Sequence, residues 1–313
     1  MPDDPPAYNR RVDAAARQFF LGGLALAVAG SVMFSAKAIV VKLAYRHGVD
    51  AETLLALRML MSVPFFAAAL WWASRGAPAL KPREHVLLFV VGILGYYLAS
   101  YFDFLGLQYI SAALERLILY LNPTLVLLLS VLVLRRPVTR FDAIALLLSY
   151  GGILLVFWHD VRLDADGVVT GALLVFASAA CYAVYLVLSG ELVRTVGPIR
   201  LTAYAMCVAT IGVVAQFAVV RPLASLAQPA PVLWLSAVNA VLCTVLPVFA
   251  TMLAVARIGA GPVSLAGMIG PVATIALGYG FLGEAVSVGQ LAGTALVLAG
   301  IFVLSRRPGA SSK

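Results

Sequence analysis

Charge is what this chain has least of. Only 12% of its 313 residues are charged, against about a quarter in a soluble domain, and 63% are hydrophobic. No soluble fold hides that much apolar surface, so the composition excludes a soluble enzyme or binding module. Histidine is nearly absent. His47, His85 and His159 fall in loops or at the ends of apolar runs, with no H-E-x-x-H among them. Cys181, Cys207 and Cys243 all lie inside apolar runs, which excludes a disulfide framework and zinc-like spacing and leaves them as small packing residues. No G-x-x-x-x-G-K-[ST] loop and no paired intramembrane aspartates occur. The expectation is therefore a membrane protein that is not an enzyme and carries no cofactor or metal.

The apolar runs are abundant. They fall at about 20–44, 53–73, 86–107, 111–134, 141–158, 168–190, 199–220, 232–255, 261–282 and 288–305, each close to the ~20 residues that cross a bilayer. A polar, Pro-rich segment over 1–19 reads as a disordered tail. Residues 159–167 read as an external linker and 306–313 as a second tail. Ala36-Lys37-Ala38 resembles a signal-peptide cleavage site, but the run stays apolar beyond it. Fifteen of the 22 Lys and Arg fall on the side of the two tails, against Arg46, Arg162 and Arg221 on the other. This bias places both termini in the cytoplasm. It also accounts for the net charge of +8 without nucleic acid.

The chain repeats itself. A shift of 148 positions carries Ile110 onto Ile258, Ala112 onto Ala260, Pro123 onto Pro271 and Gly152 onto Gly300. It also carries Gly23 onto Gly171 and Phe34 onto Tyr182. The unit, 20–158 and again 168–305, has five runs. An odd number inverts the second copy in the membrane, so the expected fold is an all-α membrane protein of ten transmembrane helices in a five-plus-five inverted repeat. Paired prolines in the middle of two spans predict broken helices beside a cavity, since lipid cannot satisfy freed backbone groups. Pro123, Gly270 and Pro271 are the expected hinges. Pro64 and Pro247 have no proline partner and carry less weight.

Ionisable residues inside a membrane are costly and point to function. Five stand out: Lys37, Arg58, Asp103, Glu115 and Arg116. Lys42 is close enough to its span end to snorkel. All five come from the first repeat and lie toward its outer side. The second repeat offers Gln216, Asn239, Cys243 and Thr244 there, without charge. Tyr96, Ser100 and Asp103 share one helical face, as do Glu115, Leu119 and Asn122, and as do Arg116, Tyr120 and Pro123. Tyr97 and Tyr101 add aromatic surface, with Tyr182 and Tyr185 as the opposite wall. The charges pair with each other, Glu115 with Arg58 and Asp103 with Arg116 or Lys37, or they face a substrate. Three cations against two anions leave an excess that suits an anionic group. Glu115 and Asp103 are the candidates to carry a coupling proton.

Ten spans, a five-plus-five repeat, a proline in each fourth span, and a glycine-containing fifth span (GGILLVF at 151–157, AGIFVLS at 299–305) resemble the EamA-domain branch of the drug/metabolite transporter superfamily. Gly283-Glu284 matches that family's usual turn after span four. Arg135-Arg136-Pro137 in the first half departs from it. The resemblance implies secondary transport, usually export, of small molecules such as amino acids through a central cavity in a bacterial inner membrane. The partners expected are a small-molecule substrate, membrane lipid and, for energy, protons. Nucleic acid is not expected, and the reading leaves room for a homodimer. The competing reading is a receptor or assembly factor whose charges only hold helices together, although little chain lies outside the spans to bind a partner.

Overall fold

The computed structural model describes residues 7–134, 139–163 and 167–305, and in this range the chain is helical with no strand. Helix α1 (Ala7–Tyr45) is followed by α2 (Ala51–Ser74), α3 (Pro82–Gly92) and α4 (Ala99–Gly106). Next come α5 (Ala112–Leu119), α6 (Asn122–Leu134) and α7 (Arg140–Leu163). The second half holds α8 (Val168–Val196), α9 (Pro198–Val220), α10 (Ala230–Ala240) and α11 (Leu246–Ile258), then α12 (Ala260–Gly267), α13 (Gly270–Leu277) and α14 (Val288–Ser305). Among the described residues, nine helical segments are long and apolar enough to cross a membrane, and Val288–Val303 is a shorter apolar helix. Helix covers part of the segments set apart as tail and linker: α1 already runs over residues 7–19, and α7 continues through His159 to Leu163. Arg135, Arg136 and Pro137 lie outside the described residues.

Local chemistry sets the ends. Asp50 caps α2, its carboxylate accepting from the Thr53 amide at 2.9 Å, and Ser111 caps α5 by accepting from the Leu114 amide at 3.1 Å. Between α8 and α9 a single residue, Gly197, reverses the chain at φ 86°, a conformation open to glycine. Pro198 opens the next helix, where its missing N–H costs nothing.

The 148-residue offset carries over into three dimensions. A π-helical turn joins α3 to α4 over Ile93–Leu98, and another joins α10 to α11 over Val241–Val245. The break between α5 and α6 falls at Tyr120 and Leu121, and that between α12 and α13 at Met268 and Ile269. Packing follows the same exchange. Helices α2 and α9 pack together, as do α7 and α14, while α1 on α11 is matched by α8 on α4. Equivalent glycines make the contacts: Gly23 lies against Ile258, and Gly171 against Ile110. Gly152 faces Gly293 while Gly300 faces Ala145 and Ser149, so α7 and α14 run antiparallel. The buried core gathers where α1, α2, α4 and α9 meet, around Leu54, Met59, Phe104 and Met206. Large apolar side chains such as Leu147, Ile211, Val219 and Val288 point outward, as they do in a bundle solvated by lipid.

Candidate substrate cavity

Both breaks contain a proline at the second residue of the restarted helix, Pro123 in α6 and Pro271 in α13. A proline cannot donate to the carbonyl four residues back, so the Leu119 and Gly267 carbonyls lose their helical partners. The two halves solve this differently. The Asn122 side-chain amide donates to the Leu119 carbonyl at 2.7 Å, within the same break. The Gly267 carbonyl instead accepts from two side chains of the first half, Ser31 at 3.0 Å and the Tyr120 hydroxyl. Ser35 donates to the Gly270 carbonyl at 3.0 Å. Freed backbone groups are thus satisfied by protein, as a broken membrane helix requires.

Beside the breaks lies a cavity of ≈ 310 Å³ lined from both halves. Its walls are built largely from equivalent positions: Phe34 with Tyr182, Arg58 with Met206, Gly95 with Cys243, Tyr96 with Thr244, and Ser100 with Val248. The frame is symmetric and the chemistry is not. Lys37, Asp103, Arg116, Tyr120 and Asn122 add to the wall of the first half, whereas the second half contributes Ser178 and otherwise mainly apolar groups. The π-helical turns matter here, because the extra residue in each turn brings Gly95, Tyr96, Cys243 and Thr244 to the cavity. Such turns often occur at functional sites.

The charges sort themselves around Lys37. Its ammonium lies 2.5 Å from Asp103 Oδ2 and 3.0 Å from Glu115 Oε1. Of the expected pairings, Asp103 with Lys37 is present and Asp103 with Arg116 is not, and Glu115 with Arg58 is corrected to Glu115 with Lys37: one lysine holds both carboxylates. Arg58, 5% exposed, donates to Ser100 Oγ at 3.0 Å and stands 4.9 Å over the Phe104 ring. Arg116 stands 5.2 Å over the Tyr120 ring. Among the described residues neither arginine makes an ion pair, and both line the cavity. Fixed cations without carboxylate partners in a cavity can hold an anion.

Of the residues singled out from sequence, Lys37, Arg58, Asp103, Arg116, Tyr120, Asn122 and Tyr182 line the cavity. Glu115 does not; it is fully buried behind Lys37. Tyr97 and Tyr101 lie on the neighbouring face, stacked on each other with ring centroids 6.5 Å apart, and Tyr97 packs on Gly212 of α9. Tyr185 sits behind Tyr96, edge-on at 5.2 Å, and closes over Gly95. Met206, Val248 and Ser178 carry no chemical signal inside apolar runs. The offset of 148 would have found the first two, since it carries Arg58 and Ser100 onto them. Among the described residues no group of three His, Cys, Asp or Glu is placed to hold a metal.

Comparison with known proteins agrees with this architecture. The EamA-like transporter family matches twice, over residues 21–158 and 169–306. The uncharacterized transporter YcbK of Bacillus subtilis (strain 168) is 32% identical over 290 residues, covering 90% of each chain. The uncharacterized transporter YyaM of the same organism is 27% identical over 236 residues, covering 74% of this chain and 77% of its own. A solved crystal structure aligns over 91% of this chain and 99% of its own with a TM-score of 0.61 at 21% identity, a likeness of fold. Two family matches that together span most of the sequence place this multi-pass membrane protein in the EamA-like transporter family of the drug/metabolite transporter superfamily.

Proposed function

We propose that the protein is a secondary transporter that moves a small amphipathic metabolite with an anionic group, such as an amino acid, out of the cell by alternating access. It spans the bacterial inner membrane ten times as a five-plus-five inverted repeat, with both termini in the cytoplasm. The loop bias of Lys and Arg supports that orientation, and the antiparallel packing of α7 on α14 supports the inversion. The observation that carries the reading is the cavity's two-sidedness. Arg58 and Arg116 offer donors to a carboxylate from one wall, and Met206, Val248 and Tyr182 offer apolar surface from the other. Glu115 and Asp103, both on Lys37, are the groups through which a proton gradient would act. The family match favours transport over a receptor or assembly factor.

The test is uptake into proteoliposomes of labelled amino acids and organic acids, with and without an imposed pH gradient. One substrate class should move saturably. Arg58→Gln should lower its transport roughly ten- to a hundredfold by losing a charged hydrogen bond worth about 1.5–3 kcal/mol. Glu115→Gln should keep exchange of substrate and lose the pH-driven part. If Arg58→Gln transports like the parent, the anion site is elsewhere. If nothing moves, and no metabolite shifts the thermal unfolding of a folded sample, the transporter reading fails.

A further inference from the structure

The cavity is roofed by two layers of charge. The first is Lys37 with Asp103 and Glu115. The second begins five residues further along α1, about 7.5 Å nearer its end, and it joins the two halves. Lys42 Nζ lies 3.4 Å from Glu284 Oε1 and donates to the Ile110 carbonyl at 2.8 Å. The Ala112 amide donates to the same Glu284 oxygen at 3.2 Å. Arg46 donates to the Leu282 carbonyl at 2.5 Å. At the rim Arg221 reaches across the halves to Asp50 at 3.5 Å and Glu52 at 3.4 Å.

Glu284 is delivered by its local backbone. Gly283 ends the preceding π-helical turn at φ 72° and turns the chain back over the bundle. Gly278 leaves the carboxylate its room, since a Cβ there would lie 3.1 Å from Glu284 Oε2. The Lys42 and Glu284 side chains are 26% and 21% exposed, so parting them strands no charge in a dry interior. The repeat carries Lys42 onto Gly190 and Glu284 onto Arg136, which cannot form an ion pair.

We infer that Lys42 and Glu284 form an ionic gate between the halves and that the structure is the state closed at this end. The inference rests on the transport reading above. A partly exposed ion pair suits a gate, because it shifts the closed-to-open ratio by only a few-fold and can be broken in every cycle.

The experiment places a single reporter thiol in the cavity, Ser100→Cys, in a chain whose Cys181, Cys207 and Cys243 are serine. A membrane-impermeant maleimide is applied to one face of the membrane at a time, in intact cells and in inside-out vesicles. The thiol should react from the face opposite Lys42 and slowly from the Lys42 face. Glu284→Gln should speed the reaction from the Lys42 face about fivefold, and Lys42→Met should do the same, so either variant alone suffices if the other does not fold. An unchanged rate from that face in the folded variants, or fast reaction there before any substitution, sinks the gate and leaves the transport reading standing. Reaction from neither face in a folded protein removes the cavity as a pathway, and with it the reading on which the gate depends.

Discussion

Lys37 is the residue on which the buried electrostatics turn. It is the cation in direct contact with both Asp103 and Glu115. Removing one partner of a buried ion pair costs about 3–5 kcal/mol, because a charge is left uncompensated. Lys37→Met should therefore lower the thermal unfolding midpoint in detergent sharply, and adding Glu115→Gln should recover part of the loss. Equal midpoints for the parent and Lys37→Met would show that the cluster bears no load. At this scale the sequence was half legible. Charges in a membrane announce themselves, and all five were visible; which charge meets which was not, since a helical face admits several partners until neighbouring helices are rotated into place. Aromatic residues misled for a related reason. Tyr97 is adjacent to Tyr96 in sequence, but that one step turns its ring from the cavity toward α9.

The helices are held by small residues rather than by apolar side chains meeting in water's absence. In lipid, association depends on close backbone approach, and α7 on α14 is the clearest case. A Cβ on Gly152 would lie 2.5 Å from the Gly293 carbonyl, whereas one on Gly151 would meet nothing within 4 Å. Gly152→Leu should thus force the pair apart at a cost of about 1–3 kcal/mol, while Gly151→Leu should be close to neutral. Thermal unfolding of the two variants side by side checks this, and equal effects would refute it. The paired breaks at Pro123 and Pro271 were readable because proline leaves a mark at a fixed place in each copy. The π-helical turns were not readable, since an extra residue per turn changes no residue type and shows only as a shifted face.

Across the whole molecule the two halves share a frame and divide the chemistry. The frame was legible because a constant offset aligns the copies without a gap, and the family matches over 21–158 and 169–306 fall on that division. The extra helical turns before residue 20 were missed because a polar, Pro-rich composition reads as coil even where α1 simply continues. The halves are also tied at the rim, where Asp50 meets Arg221. Burial alone would raise the Asp50 pKa, but the Thr53 amide and hydroxyl, Glu52 and the Arg221 guanidinium together hold it below its ordinary 3.8. A lowered carboxylate pKa contributes stability that is complete above the unfolded value and is lost as pH falls through the folded one. Asp50→Ala should therefore cost about 1 kcal/mol through the lost cap at both pH 7 and pH 5, and the difference from the parent should shrink only below pH 3.8. Unfolding midpoints measured against pH check the window; a difference that already shrinks by pH 5 would contradict it.

The freed carbonyl of Gly267 has a consequence for motion. Both of its donors, Ser31 and Tyr120, belong to the opposite half, whereas Leu119 is served from within its own break. Any movement that separates the halves strips Gly267 of its partners and leaves Leu119 untouched. Lipid has no donor to offer. Opening is then also a hydration event: water must enter at the second break when the halves part and leave again when they close.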